Sequence, residues 1–334
     1  MKDRKVSRRQ FTLGMAAAGG LLAGKGLTVL TAKAAEEEIY GMVVFLKGSE
    51  FFNWCYKGMM DAAARIGPHV KTELKGPAEW DASLEARAIE ELTARGVAGI
   101  LTTAGDAAPM VPSIDAAIEA KIPVITFDSD APASKRLCFC GTHNYNAGYK
   151  AGEAIAEWLK GKGRVAISTF PGPDHLVKRV QGFQDALAKV APDIEVAQIV
   201  NDEGKVDVAE TQMTAMLQAD PNINAIFAAH GNPGPGACAA VRNTGLQGKV
   251  LVMGFDFGMP NIELIEKGEM MATVGQNPYL MGFTSMLLCY GAKYPTEVPS
   301  TNPGLGHCVN ADVDTGVRIL YKEDVQIYKN PPKF

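Results

Sequence analysis

The sequence predicts an α/β protein built as two similar, doubly wound parallel-sheet lobes, and three observations carry that expectation. Short apolar runs rich in β-branched residues alternate with helical patterns, the order that produces parallel sheets with right-handed crossovers. The order then repeats: Gly58-Met59-Met60-Asp61-Ala62 is answered by Gly182-Phe183-Gln184-Asp185-Ala186, and Phe127-Asp128 by Phe255-Asp256. Finally, 334 residues at 47% hydrophobic content are enough for two domains with separate cores.

The elements follow in order. Ile39 to Leu46 reads as a buried strand, Lys47 to Glu50 as the loop at its end, and Asn53 to Ile66 as a helix stopped by Gly67-Pro68. Val70 to Leu74 is a strand, Ser83 to Arg95 a helix closed by Gly96, and Val97 to Thr103 a strand. Gly105 to Pro112 reads as loop and Ser113 to Ala120 as a helix. That helix leads into Ile122-Pro123-Val124-Ile125-Thr126-Phe127, a run suited to a strand covered on both faces. The second half repeats the scheme. Strands are predicted at Val165 to Phe170, Ile194 to Val200, Ala225 to Ala229 and Val250 to Phe255, with helices at His175 to Val190, Val208 to Ala219 and Pro235 to Thr244.

Residues 1–34 read differently. Ser7-Arg8-Arg9-Gln10-Phe11-Thr12-Leu13, a mildly apolar stretch from Gly14 to Leu30 and the small-x-small end Ala32-Lys33-Ala34 resemble a twin-arginine export signal. Lys25 interrupts the apolar stretch, which disfavours a permanent membrane anchor. Cutting after Ala34 removes seven of the 33 Lys and Arg and one of the 37 Asp and Glu, so the formal charge moves from -4 to -10. A chain that acidic is a poor nucleic-acid binder. No cysteine closely follows the leader, so lipid attachment there is unsupported, and the expectation is a soluble, monomeric periplasmic protein. Cys55, Cys138, Cys140, Cys238, Cys289 and Cys308 do not form a disulfide framework and read mostly as buried free thiols. Cys138 and Cys140 would share one face of a strand, where alternate residues cannot bridge without distortion.

Machinery for several enzyme classes is missing. There is no G-x-x-x-x-G-K-[ST], no H-E-x-x-H and no G-x-S-x-G. Gly231-Asn232-Pro233-Gly234-Pro235-Gly236 lacks dinucleotide-binding spacing, and its prolines remove backbone donors. The histidines lack the i, i+4 spacing that puts two metal ligands on one helix face. No metal and no cofactor is called for, and a binding protein is expected rather than an enzyme.

Ligands of open parallel sheets sit outside the carboxyl ends of the strands. Asp128 and Asp256 end equivalent strands, so they are expected to meet in a cleft between the lobes, although a carboxylate at such a place can also cap the next helix or turn. Paired carboxylates suit a neutral polyhydroxylated ligand, and rings such as Phe51 and Phe52 can cover its C–H face, unless those two are simply core.

Phe51-Phe52, the strand ending at Asp128, Arg179-x-x-Gly182-Phe183, Gly254-Phe255-Asp256 and Ala272-Thr273-Val274-Gly275-Gln276 together resemble the type I periplasmic sugar-binding proteins of ABC importers, in the ribose-binding-like group. The likeness runs from Ile39 to the C-terminal region. It implies two lobes joined by a three-segment hinge, with residues 35–143 plus 277–309 in lobe 1 and 144–276 plus 310–334 in lobe 2. It also implies a sugar or polyol ligand and a membrane permease as partner. Phe51 and Phe52 would stack on the sugar, Asp128 and Asp256 would accept from hydroxyls, and Arg179 would donate. Gln276 would lie near a hinge segment, and Thr142 and Asn144 in the first crossing. His230 stands where ribose binders carry asparagine, which leaves a polar contact or an ordinary structural histidine, and Asn232 follows in the same loop. Ser129 replaces an arginine of the ribose binders and an aromatic residue is replaced near Glu203, both of which argue against ribose itself. Lys47, the Asp128-Ser129-Asp130 triplet and Asp174 resemble autoinducer-2-binding proteins instead. Lys47 could equally be a solvated loop lysine, and Asp174 a helix cap. An autoinducer-2-type receptor and an exported enzyme are therefore the alternatives.

Overall fold

The computed structural model describes residues 36–294 and 311–329. The expected leader over residues 1–34 lies outside the described residues, as does Cys308.

Two six-stranded sheets organise the chain. In the first the order is β11-β5-β4-β3-β1-β2, where β1 is Glu38–Val43, β2 Val70–Lys75, β3 Gly99–Thr102, β4 Val124–Phe127, β5 Cys138–Gly141 and β11 Asp312–Asp314. In the second it is β12-β10-β9-β8-β6-β7, with β6 Lys162–Thr169, β7 Asp193–Asn201, β8 Ala225–Ala228, β9 Leu251–Phe255, β10 Ala272–Gly275 and β12 Arg318–Leu320. Every pairing is parallel except β10 with β12. The burial follows the letters. Every residue of the interior strands β3, β4 and β8 is buried, as continuous apolar runs require, whereas the edge strands β2 and β7 are mostly half-buried or exposed.

Helices cover both faces of each sheet: α1 (Glu50–Ile66), α2 (Ala82–Ala94), α3 (Ala107–Glu119) and α9 (Pro278–Lys293) on the first, and α4 (Asn144–Trp158), α5 (Asp174–Val190), α6 (Val206–Ala219), α7 (Pro233–Asn243) and α8 (Met259–Lys267) on the second; a short α10 (Val325–Lys329) closes the described chain. The predicted loop over Gly105 to Pro112 is corrected: α3 starts at Ala107, with the Asp106 side chain accepting from the Ala108 N–H at 3.2 Å and Pro112 inside the helix.

The duplicated glycine motif has a packing reason. A Cβ on Gly58 of α1 would fall 2.1 Å from the Tyr279 carbonyl oxygen of α9, and one on Gly182 of α5 would fall 2.0 Å from that of Tyr145 in α4. The glycines facing them behave alike, since a Cβ on Gly282 would meet the Cys55 carbonyl at 1.8 Å and one on Gly148 the Arg179 carbonyl at 1.9 Å. Three residues beyond each first glycine, Asp61 accepts from the Tyr279 hydroxyl at 3.1 Å and Asp185 from that of Tyr145 at 2.9 Å. Four residues further still, Arg65 lies over the Phe283 ring and Lys189 over the Tyr149 ring. The two lobes thus carry the same helix pair, in the same register, at backbone contact.

The chain changes sheets between β5 and α4, between β10 and α9, and between β11 and β12. The third change corrects the expected boundary at residue 310. Asp312–Asp314 pairs with Phe139–Gly141 of the first sheet, and the Thr315 N–H still donates to the Gly141 carbonyl at 2.8 Å. The crossing therefore falls after Asp314, at Gly316 with φ +74°. Those residues stay with the first sheet because its edge strand β5 offers them a free ladder. Cys55, Cys138, Cys140, Cys238 and Cys289 are all buried free thiols.

Gly182→Ala and Gly58→Ala should each destabilise the protein by about 2 kcal/mol or more, because a backbone carbonyl cannot move aside as a side chain can. Urea unfolding reads this directly, and wild-type stability in either variant would remove the backbone-contact explanation of the repeat.

Candidate functional site

The two predicted acids occupy equivalent places. Asp128 directly follows β4 and Asp256 directly follows β9, and both adopt the left-handed backbone region, at φ +61° and +65°. Aspartate tolerates that region better than most side chains, and the turn lifts the carboxylate off the strand end. Each is backed by close backbone: a Cβ on Gly141 would lie 3.1 Å from the Asp128 nitrogen, and one on Gly231 would lie 3.0 Å from Asp256 Oδ2.

Arg179, from α5, serves both. It is 2% exposed, its Nε donates to Asn144 Oδ1 at 2.8 Å, its Nη1 donates to the Ala229 carbonyl at 3.0 Å, and its guanidinium carbon lies 3.7 Å from the centroid of Phe255. Burial pushes its pKa down to about 10, against the pull of Asp256 and Asp128. Burial pushes the Asp128 carboxyl up to about 7, with Arg179 opposing and Asp256 adding to the rise. Asp256 is also raised by burial, and is restrained by Arg179, by the Gln276 side chain and by His230. Gln276 Nε2 donates to Asp256 Oδ1 at 2.8 Å, while Gln276 Oε1 and Thr142 Oγ1 are buried with no hydrogen-bond partner among the described residues. Asp128, Asp256 and Arg179 are therefore in mutual electrostatic reach across the two lobes, and Asp128 makes no hydrogen bond through its carboxylate with any described residue.

The other expected residues divide. Asn144 and Thr142 lie at the first crossing, both buried, and Asn144 is committed to Arg179 and, through Nδ2, to the Thr142 carbonyl at 3.0 Å. Phe52 is core: it packs edge-on against Phe45, Phe51 and Phe127, with Phe51 half-buried beside it. His230, half-buried at the end of β8, meets Asp202. Asn232 is exposed and donates to the Gly204 carbonyl at 2.7 Å. Three expected residues show no interaction with the acid pair. Asp130 is closed off by a two-point ion pair with Arg136, at 2.5 and 2.6 Å, and by the Thr126 hydroxyl. Asp174 is exposed in the first turn of α5 and pairs with Lys178 at 2.5 Å. Lys47 is exposed, with no side-chain partner among the described residues. With Asp128 and Ser129 these three side chains carried the autoinducer-2 likeness, and they are not among the groups that act on Asp128 or Asp256.

Several residues of the site were not anticipated. Ser129 Oγ accepts from the Ala104 N–H at 3.0 Å and so ties the β3 and β4 loops together. Glu85 of α2 is fully buried, accepts from the Thr103 hydroxyl and the Gly105 N–H, and is pushed up to about 7 by burial. Trp80, in the loop after β2, meets Phe170, directly after β6, with ring centroids 5.8 Å apart. Since β11 and β12 lie at the hinge edges of their sheets, this ring pair joins the lobes on the far side of the cleft. Sequence offers no sign of a contact between residues so far apart in the chain. Among the described residues, no group of three or more His, Cys, Asp or Glu comes together that could hold a metal ion.

Two lobes with opposed strand ends, a carboxylate from each and one buried arginine between them define a two-lobed solute receptor. The chain belongs to the periplasmic binding protein domain family, whose profile matches residues 40–292. It is similar to the D-allose-binding periplasmic protein of Escherichia coli, with 30% identity over 289 residues covering 84% of this chain and 91% of that protein. It is also similar to the ribose import binding protein RbsB of Bacillus subtilis, with 27% identity over 250 residues covering 74% of this chain and 79% of that one. Among solved structures, the sugar-binding protein of a sugar ABC transporter from Bacillus halodurans superposes with a TM-score of 0.80 at 31% identity, covering 87% of this chain and all of that one. A solute-binding protein from Actinobacillus succinogenes with bound D-allose gives 0.76 at 27% identity, covering 87% and 100%.

Two measurements test the site. Asp128 and Glu85 hold protons in the folded protein that they release when unfolded, so stability should fall as pH rises from about 4 to about 7 and level off above. Asp128→Asn should flatten part of that decline in denaturant titrations run at several pH values, and an unchanged slope would show that Asp128 ionises normally. With Trp54 and Trp158 replaced by Phe, Phe170→Ala should shift Trp80 emission to the red; constant emission would mean that the two lips do not meet in solution.

Proposed function

We propose that the protein is a periplasmic solute receptor of an ABC importer that closes by hinge motion around a neutral sugar or polyol and delivers it to a membrane permease. The observation that carries this reading is the pair Asp128 and Asp256, one from each lobe, sharing the single guanidinium of Arg179. Carboxylates accept from vicinal hydroxyls, and Arg179 donates to ring or hydroxyl oxygens, so a closed cleft completes both sets of bonds at once. A ligand touching both lobes only when they are shut shifts the population toward the closed form. The relatives support the class of ligand, since D-allose, ribose and sugar binding stand in their names. Members of this family are binding proteins, and we read the present chain as a receptor without turnover. In addition to Asp128, Asp256 and Arg179, we assign ligand-facing roles to Phe51, His230 and Gln276. Gln276 carries a buried oxygen still open to a donor.

The resemblance of residues 1–34 to a twin-arginine signal supports export to the periplasm by that route. The acidic mature chain is in keeping with a partner that is neither nucleic acid nor membrane surface, and we take the receptor to be a monomer.

A thermal-shift screen over pentoses, hexoses and polyols tests the ligand class, because a ligand bound to the folded state alone raises the melting temperature by mass action. D-allose and D-arabinose are the first probes. Asp256→Ala should weaken binding of any sugar found by at least about 100-fold, because it removes a buried charge-assisted partner and leaves Arg179 with Asp128 alone to balance it. Affinity within a few-fold of wild type, measured by calorimetry on a folded variant, would move the ligand out of this cleft.

A further inference from the structure

Asp202, just beyond β7, is a second buried carboxylate of this lobe, and it stands apart from the two-acid centre. It is fully buried and draws three donors: the Ser168 hydroxyl to Oδ2 at 2.8 Å, the Gly204 N–H to Oδ1 at 2.8 Å, and His230 Nε2 to Oδ1 at 2.9 Å. Ser168 lies near the end of β6 and His230 follows β8, so one carboxylate staples three neighbouring strand ends. The imidazole has little freedom left. Its edge is held by Asp202, and it meets Phe170 edge-to-face with ring centroids 5.1 Å apart.

Asp202 Oδ1 already accepts the Gly204 N–H, so it acts as an acceptor and Nε2 must carry the hydrogen shared with it. In a neutral imidazole the other nitrogen is then an acceptor. Nδ1 has no partner among the described residues. The ring lies within electrostatic reach of Asp256, and the residue after it, Gly231, is the one whose missing side chain leaves room beside Asp256 Oδ2. The charged and titratable groups around it are Asp202 from the β7 end, Asp256 from the β9 end, and His175 from α5, which burial and the nearby Arg179 hold neutral.

We propose that Asp202 is a positioning residue that fixes His230 with Nδ1 as a hydrogen-bond acceptor at the cleft, so that the second lobe selects a ligand presenting a hydroxyl donor at that point. The selection rests on the sugar-receptor reading, but the fixing of the ring does not. An amide at this position could rotate to offer either a donor or an acceptor, whereas the Asp202-bound imidazole offers one.

The test is long-range ¹H–¹⁵N correlation spectroscopy of histidine-labelled protein at about pH 8, where an ordinary imidazole is neutral. His230→Gln assigns the signal. Wild-type His230 should show the Nε2–H tautomer, Asp202→Ala should give a mixture, and Asp202→Asn, whose carbonyl can still accept, should restore the single form. With D-allose or D-arabinose as probe, a sugar that binds should shift the Nδ1 resonance, lose at least about tenfold in affinity in Asp202→Ala and recover most of it in Asp202→Asn. A wild-type Nδ1–H tautomer overturns the proposal even if neither variant folds, and so does a bound sugar that leaves Nδ1 unmoved. If no sugar raises the wild-type melting temperature, the sugar reading fails, and the tautomer alone then decides whether Asp202 positions the ring.

Discussion

One buried guanidinium holds the centre of this molecule together. Arg179 carries the only basic side chain in electrostatic reach of both Asp128 and Asp256 among the described residues, and its position is set by groups that cannot easily move. Asn144 and the Ala229 carbonyl take its hydrogens, Phe255 covers its face, and its own carbonyl is pressed against Gly148 of α4. Removing one partner of such a cluster leaves an uncompensated buried charge, which costs more than the intact cluster contributes. That asymmetry explains why so much of the second lobe is arranged around a single side chain.

The duplication sharpens the point. Arg179 stands three residues before Gly182, and the residue three before Gly58 is Cys55. The backbones are equivalent, since a Cβ on Gly148 would strike the Arg179 carbonyl just as one on Gly282 would strike that of Cys55. The chemistry is not. Cys55 is a fully buried thiol whose ionisation is opposed by burial and by the charge of Asp128. The first lobe therefore supplies an acid without a base, and the second supplies an acid and the base for both. A half-duplicated site of this kind gains its charge balance only when the lobes face each other. Closure and electrostatics are thereby linked in one cluster.

Much of the fold was legible because parallel sheets write themselves plainly: interior strands are continuous apolar runs, and the run ending in Phe127-Asp128 and its counterpart ending in Phe255-Asp256 could be found from letters alone. The pairing of Asp130 and Asp174 was not legible, because a loop carboxylate looks the same in sequence whether it faces a ligand or a basic side chain. Arg136 closes off the first, and Lys178, one helical turn from Asp174, pairs with the second. Asp202 was overlooked for the opposite reason. It ends a strand as Asp128 does, but its importance comes from Ser168 and His230, which lie 34 and 28 residues away.

By itself the sequence determined what depends on local pattern and composition: two α/β units in tandem, the strand ends that carry acids, and a glycine motif repeated in both halves. The tertiary structure alone decided which polar groups are spent on the protein and which remain open. It paired Asp130 with Arg136, fastened His230 to Asp202, brought Trp80 onto Phe170 across the cleft and placed residues 312–314 in the first sheet rather than the second. The reason is physical. Periodicity reports which face of an element is buried, but a hydrogen bond or an ion pair depends on the distance between side chains, and that distance is set by how distant segments pack.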